Sequence, residues 1–146
     1  MIDARDAILA LMNEYCFCLD AGNMAGCARL FEHATWRVLG DPSGGDTGSA
    51  AVLETLQNVT LYDGKPLTKH TMTNVQIDVG PVENWAKAQC YITVFQAVPP
   101  DFPMQPIFGG HYHDRFEKAE SGWRFVSRGI SPDLLGDLSR HRADMA

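Results

Sequence analysis

Residues 106–128, PIFGGHYHDRFEKAESGWRFVSR, constrain the fold more than any other stretch. Phe108, Tyr112 and Phe116 recur at even spacing, so they share one face of a strand. Glu120-Ser121-Gly122 supplies turn chemistry, and Trp123, Phe125 and Val126 restart the apolar run. The reading is two antiparallel strands joined at residues 119–122. So large an aromatic face must be covered, and the rest of the chain reads as its cover.

Asp3 can cap a helix that starts at Ala4, and Ile8, Leu11, Met12, Tyr15, Cys16 and Leu19 form its apolar stripe. Asp20 extends the buried side of that helix at its C-terminal end, where the dipole disfavours a carboxylate by about 0.3–1 kcal/mol. Such a placement calls for a local or functional reason. Gly22 can take a left-handed cap, and Asn23 can cap a short second helix over residues 24–31. Residues 35–39 alternate as a strand, 40–48 read as a loop, and 49–61 as a third helix. Residues 68–79 and 85–98 read as two long strands before the hairpin. The proline-rich segment 99–105 reads as a loop able to close over a pocket, and the polar tail after Arg128 as an end that frays.

Helices early and antiparallel strands late argue an α+β layer packing in one domain over residues 1–146. The expected form is a cone-shaped α+β barrel: a curved, mostly antiparallel sheet wrapped by three N-terminal helices, with a pocket inside. The net charge of −6 argues against a nucleic-acid partner or an anionic membrane surface. No basic lead into an apolar run suggests a signal peptide, and no apolar segment is long enough to span a bilayer. Cys16, Cys18, Cys27 and Cys90 read as small buried hydrophobes in a reducing, cytoplasmic setting.

The candidate chemical pair is Asp20, from the helical wall, and His70, from the sheet. If they meet, the carboxylate fixes the imidazole tautomer through one ring nitrogen and leaves the other as a base. Tyr15, Trp36, Met72, Phe95 and Tyr112 can line a pocket for an apolar or aromatic substrate, with Asn74 as a polar handle. Asp114 shares the aromatic face, so it sits at the pocket mouth or pairs with a base such as Arg128. His111 and His113 lie on the opposite face, toward solvent or a second subunit. A metal there would need a third ligand that the sequence does not place, so no metal is expected.

In this order the elements resemble the nuclear-transport-factor-2-like superfamily, in particular its SnoaL-like enzymes, such as scytalone dehydratase and hexachlorocyclohexane dehydrochlorinase. The resemblance runs from about Asp3 to Arg128 and rests on Cys-Leu-Asp-Ala ending at Ala21, Thr-Trp-Arg-Val ending at Val38, Lys-His-Thr-Met-Thr-Asn ending at Asn74, and Gly-Gly-His-Tyr followed by Gly-Trp-Arg-Phe. It implies that Asp20 and His70 form a catalytic pair and that Trp36 and Arg128 serve the pocket. Tyr15 stands where the dehydrochlorinase has a lysine. Ile92 and Tyr112 stand where scytalone dehydratase has a second histidine and an asparagine. The implied activity is a cofactor-free lyase or isomerase, by elimination or proton transfer, on a small apolar or aromatic, polyketide- or steroid-like molecule. The rival expectation is a non-catalytic binding or assembly module similar to the small subunit of ring-hydroxylating dioxygenases. A homodimer or higher homo-oligomer is expected from the exposed sheet face.

Overall fold

The computed structural model describes residues 2–142 and 144. Helix α1 (Ala4–Asp20) begins where Asp3 accepts a hydrogen bond from the Asp6 backbone N–H at 2.9 Å. Its stripe of Ile8, Met12, Tyr15, Cys16 and Leu19 is buried. Helix α2 (Met24–Arg29) is capped by the Asn23 side chain, which accepts from the Gly26 N–H at 2.9 Å. Strand β1 (Thr35–Val38) and the two-residue β2 (Asp46–Thr47) precede helix α3 (Ser49–Leu56). Strand β2 falls inside the expected loop, and α3 stops five residues short of its expected end.

Strands β3 (Thr68–Val79) and β4 (Trp85–Val98) have the limits read from the sequence. Strands β5 (Phe102–Ala119) and β6 (Gly122–Leu135) run further than expected. The expected loop at 99–105 is therefore only a short turn, and the presumed frayed tail begins as strand. The sheet is six-stranded and unclosed, in the order β2-β1-β6-β5-β4-β3. Only the β1–β6 pair is parallel. The architecture is thus the expected curved sheet wrapped by three helices.

Alternation decides which face each residue takes. On β4, Ala86, Ala88, Cys90, Ile92 and Val94 are buried toward the helices, while Trp85, Lys87, Gln89 and Tyr91 face outward. Cross-strand register carries the inner face across: His70 pairs with Val94, and Asp114 pairs with both Ala88 and Arg128. No helix among the described residues is long and apolar enough to cross a membrane.

In the middle of the core lies an ion pair. Arg128 donates from Nε and Nη2 to the two carboxylate oxygens of Asp114, at 2.8 and 2.7 Å, and both side chains are fully buried. The guanidinium stacks 4.3 Å from the Tyr15 ring centroid and 4.0 Å from that of Tyr112. Burial alone would favour losing the Arg128 proton, but the charge and hydrogen bonds of Asp114 outweigh it and raise the pKa. Asp114 therefore takes the paired alternative. Replacing Asp114 by Ala strands a buried guanidinium and should cost about 3–5 kcal/mol in urea unfolding. The double replacement Asp114→Leu with Arg128→Met should recover most of that loss.

Candidate functional site

Asp20 is the last residue of α1. Two residues on, Gly22 takes a left-handed conformation (φ 79°), and a Cβ there would collide with the Gly64 carbonyl oxygen. The turn in which the Tyr62 N–H reaches the Lys65 carbonyl at 2.7 Å is thereby held against the helix end. From that turn the chain enters β3 at Thr68, directly beside Asp20.

The Asp20 carboxylate accepts three hydrogen bonds from β3. Thr68 Oγ1–H reaches Oδ1 at 2.8 Å, the His70 backbone N–H reaches Oδ2 at 2.8 Å, and His70 Nδ1 reaches Oδ1 at 2.7 Å. Hydrogen bonds to an ionised group contribute about 1.5–3 kcal/mol each, enough to offset the helix-dipole penalty. Burial pushes the Asp20 carboxyl pKa up, but the hydrogen bonds and charge of His70, with the Thr68 hydroxyl, outweigh it and hold the carboxyl below its ordinary 3.8. An ionised carboxylate only accepts, so the shared proton sits on Nδ1. That leaves His70 Nε2 as the nitrogen able to take or give a proton.

The two side chains are 6% (His70) and 11% (Asp20) exposed. His70 borders a largely apolar cavity between helices and sheet, of about 90 Å³, shared with Tyr15, Trp36, Phe108, Tyr112 and His141. Trp36 Nε1–H donates to the Tyr15 hydroxyl oxygen at 3.0 Å. Burial raises the pKa of the Tyr15 and Tyr112 hydroxyls, so both stay protonated and can donate. A wider groove of about 700 Å³ crosses the outer face of the sheet past Arg37, Asp78, Lys87 and Arg115, but it holds neither Asp20 nor His70.

Of the residues singled out in the sequence, Asp20 and His70 meet, and Tyr15, Trp36 and Tyr112 line the cavity. The other four do not join them. Phe95 faces outward, because the buried positions of β4 are even-numbered up to Val98. Asn74 sits where the β3–β4 register shifts, at φ 56°, beside Tyr91 and His111 on the outer side. Met72 shares the inner face with His70 but packs half-buried against the core, outside the cavity wall. Arg128 lies behind Tyr15 and Tyr112, sequestered by Asp114, and supports them rather than touching the cavity.

His111 and His113 stack on the outer face at 4.1 Å between ring centroids, and His111 Nε2 lies 3.0 Å from Gln89 Oε1. Among the described residues no group of three or more His, Cys, Asp or Glu side chains is placed to hold a metal ion. All four cysteines are free and buried.

Two site residues escaped the sequence reading. Thr68 lies two residues before His70, on the same face of the strand, which is the signal that could have found it. His141 lies in the tail expected to fray. That tail is anchored by buried Leu138, and its His141 carbonyl accepts from the Thr60 N–H at 2.9 Å. The Arg140 carbonyl accepts from both the Tyr62 hydroxyl at 2.6 Å and the Gln96 side-chain amide at 3.0 Å. The C-terminal segment, rather than the 99–105 stretch, closes the cavity.

The family model of the SnoaL-like domain matches residues 1–129. A search of curated proteins finds no match to the chain. Among solved structures, an NTF2-like protein with a cystatin-like fold from Novosphingobium aromaticivorans is 21% identical, with 88% of this chain and 81% of that one covered and a TM-score of 0.73. A candidate scytalone dehydratase from the same organism is 24% identical over 90% of this chain and 85% of that one, with a TM-score of 0.72. A candidate dehydratase of the NTF2-like family from Streptomyces avermitilis is 16% identical over 90% and 97%, with a TM-score of 0.70. At these identities the likeness establishes the fold alone.

Burial, with the nearby His70 and Arg142 charges, pulls the His141 pKa down from 6.5 to about 4, against the opposing pull of Asp20 and Asp144. Between those values the unfolded chain binds a proton that the folded chain refuses, so stability is complete above the upper value and falls as pH drops through the window. Below it, protonation of Asp20 removes a further share. Urea midpoints measured across this range should decline on acidification, and His141→Phe should flatten the decline.

Proposed function

The chain belongs to the SnoaL-like domain family, and on that premise we propose that it is a cofactor-free lyase or isomerase that removes a proton from a carbon acid. The observation that carries this reading is the Asp20–His70 hydrogen bond of 2.7 Å at the wall of a cavity between helices and sheet. His70 Nε2 takes the proton, and the Asp20 carboxylate stabilises the imidazolium that forms. The electron pair left on the substrate either expels a β-leaving group, which departs with the proton from His70, or shifts an existing double bond, after which His70 returns the proton to another carbon. No electrons leave the substrate, so the reaction needs no redox partner.

Charge that develops on a carbonyl oxygen or leaving group can be met by the protonated Tyr112 and Tyr15 hydroxyls. Arg128 adds a fixed positive charge behind both rings. The apolar wall of Leu19, Trp36, Val94 and Phe108 suits a compact apolar or aromatic substrate. A cavity of about 90 Å³ holds a small molecule, or one ring of a larger polyketide- or steroid-like one.

The assembly-module reading expects a pocket filled by Trp36, Phe95 and Tyr112. Phe95 lies on the other face and open space remains beside His70, which favours the catalytic reading. The test is a panel of carbon acids and β-leaving-group compounds. His70→Ala should lower kcat/KM by about 10²–10⁴-fold, the usual contribution of a general base. Asp20→Asn should lower it as well, without loss of fold by circular dichroism. Turnover that survives His70→Ala unchanged would remove the base from the mechanism.

A further inference from the structure

His141 stands beside His70 in the lining of the same cavity. Their ring centroids are 6.5 Å apart, at an interplanar angle of 66°. The ring is placed by the chain that leads into it: Leu138 is buried three residues earlier, and the backbone at residues 140 and 141 is held by Tyr62, Gln96 and Thr60. This is the order expected of a site residue rather than of a chain end.

Its two nitrogens are not equivalent. Nδ1 is buried and has no hydrogen-bond partner among the described residues. A proton at that sealed position would be a buried donor without an acceptor, which is strongly disfavoured. The ring therefore carries its single proton on Nε2, and it resists the second proton that would make it an imidazolium. The charged and titratable groups around it act in opposite senses, with His70 and Arg142 opposing protonation and Asp20 and Asp144 favouring it. The result is a neutral imidazole, on a residue that lines the cavity, with its N–H on the edge opposite the sealed Nδ1.

We propose that His141 is a second catalytic group of this cavity, donating its Nε2–H to a substrate carbonyl oxygen while His70 takes the proton from the adjacent carbon. The proposal rests on the reading of His70 as the base. It narrows the substrate class to compounds with an acidic C–H next to a carbonyl. The C–H bond breaks, its proton goes to His70 Nε2, and its electron pair becomes the carbon–carbon double bond of an enolate. The carbonyl π pair moves onto oxygen, where the His141 N–H holds it. In a substrate with a β,γ double bond the enolate extends to a dienolate, and return of the proton from His70 to the γ carbon moves that double bond into conjugation with the carbonyl, an isomerisation with no other reactant. A neutral donor suits this task, because it stabilises the oxyanion without protonating it.

The experiment uses the full chain and 4-nitrophenol, whose phenolate copies a planar enolate oxygen and whose absorbance reports its ionisation. The parent should bind the phenolate, and His141→Phe should weaken binding by roughly tenfold or more, the worth of one hydrogen bond to a charged oxygen. His141→Gln keeps an N–H donor and should recover part of the loss, which separates donation from packing. His70→Ala should change phenolate affinity far less. In isomerisation of β,γ-unsaturated ketones, His141→Phe should lower kcat with little change in KM. Phenolate binding equal in the parent and His141→Phe, or none in the parent, would overturn the proposal. Turnover lost in His70→Ala but unchanged in His141→Phe would also overturn it while leaving the base in place. Turnover that survives His70→Ala would instead sink the base reading.

Discussion

An ionised carboxylate at the C-terminal end of a helix stands on the wrong side of the helix dipole. Here three donors from one strand hold it there. The Thr68 hydroxyl, the His70 backbone N–H and His70 Nδ1 converge on Asp20, so a single side chain ties α1 to β3 and orients an imidazole. The contact that stabilises the helix end is also the one on which the proposed chemistry rests. Gly22 makes the contact possible, because only a residue without a Cβ lets the helix end approach the Gly64 carbonyl. Without that approach Thr68 would not enter the sheet beside Asp20.

The floor of the cavity depends on a second buried charge pair. Asp114 and Arg128 face each other across β5 and β6, and the small side chain of Ala88 beside Asp114 leaves room for them. Their guanidinium sets the positions of Tyr15 and Tyr112, and the Tyr15 hydroxyl in turn receives Trp36. A polar core of this kind is costly to desolvate, so its fixed geometry is its contribution. The tyrosines it supports stay protonated and face the space beside His70.

The sequence made the long elements readable because their periodicity is strong. The limits of β3 and β4 follow from alternation and the turns that bound them. The positions of Asp20 and His70 on facing layers were readable too, although their contact was not, since nothing local reports a pairing fifty residues apart. Faces were lost where the ladder slips. Asn74 sits beside a bulge that reverses the alternation, and Phe95 takes an odd position on β4, which turns it away from the pocket aromatics. The pairing of Arg128 with Asp114 is one of the two arrangements the sequence allows, but its depth behind two tyrosines depends on packing that no spacing encodes. His141 was hidden for another reason. Its segment is polar and terminal, and it is ordered by bonds from Thr60, Tyr62 and Gln96 that lie far away in sequence.

The cavity thus has one imidazole held by a carboxylate and another held by the backbone of a closing segment. The account stands on the first of them presenting a bare Nε2. Side-chain ¹⁵N NMR of His70, taken above the imidazole titration range, reads that state directly. The account predicts a proton fixed on Nδ1 and an unprotonated Nε2, with the pattern lost in Asp20→Ala. A proton on Nε2, or a fast average of the two tautomers as in a free imidazole, would contradict it.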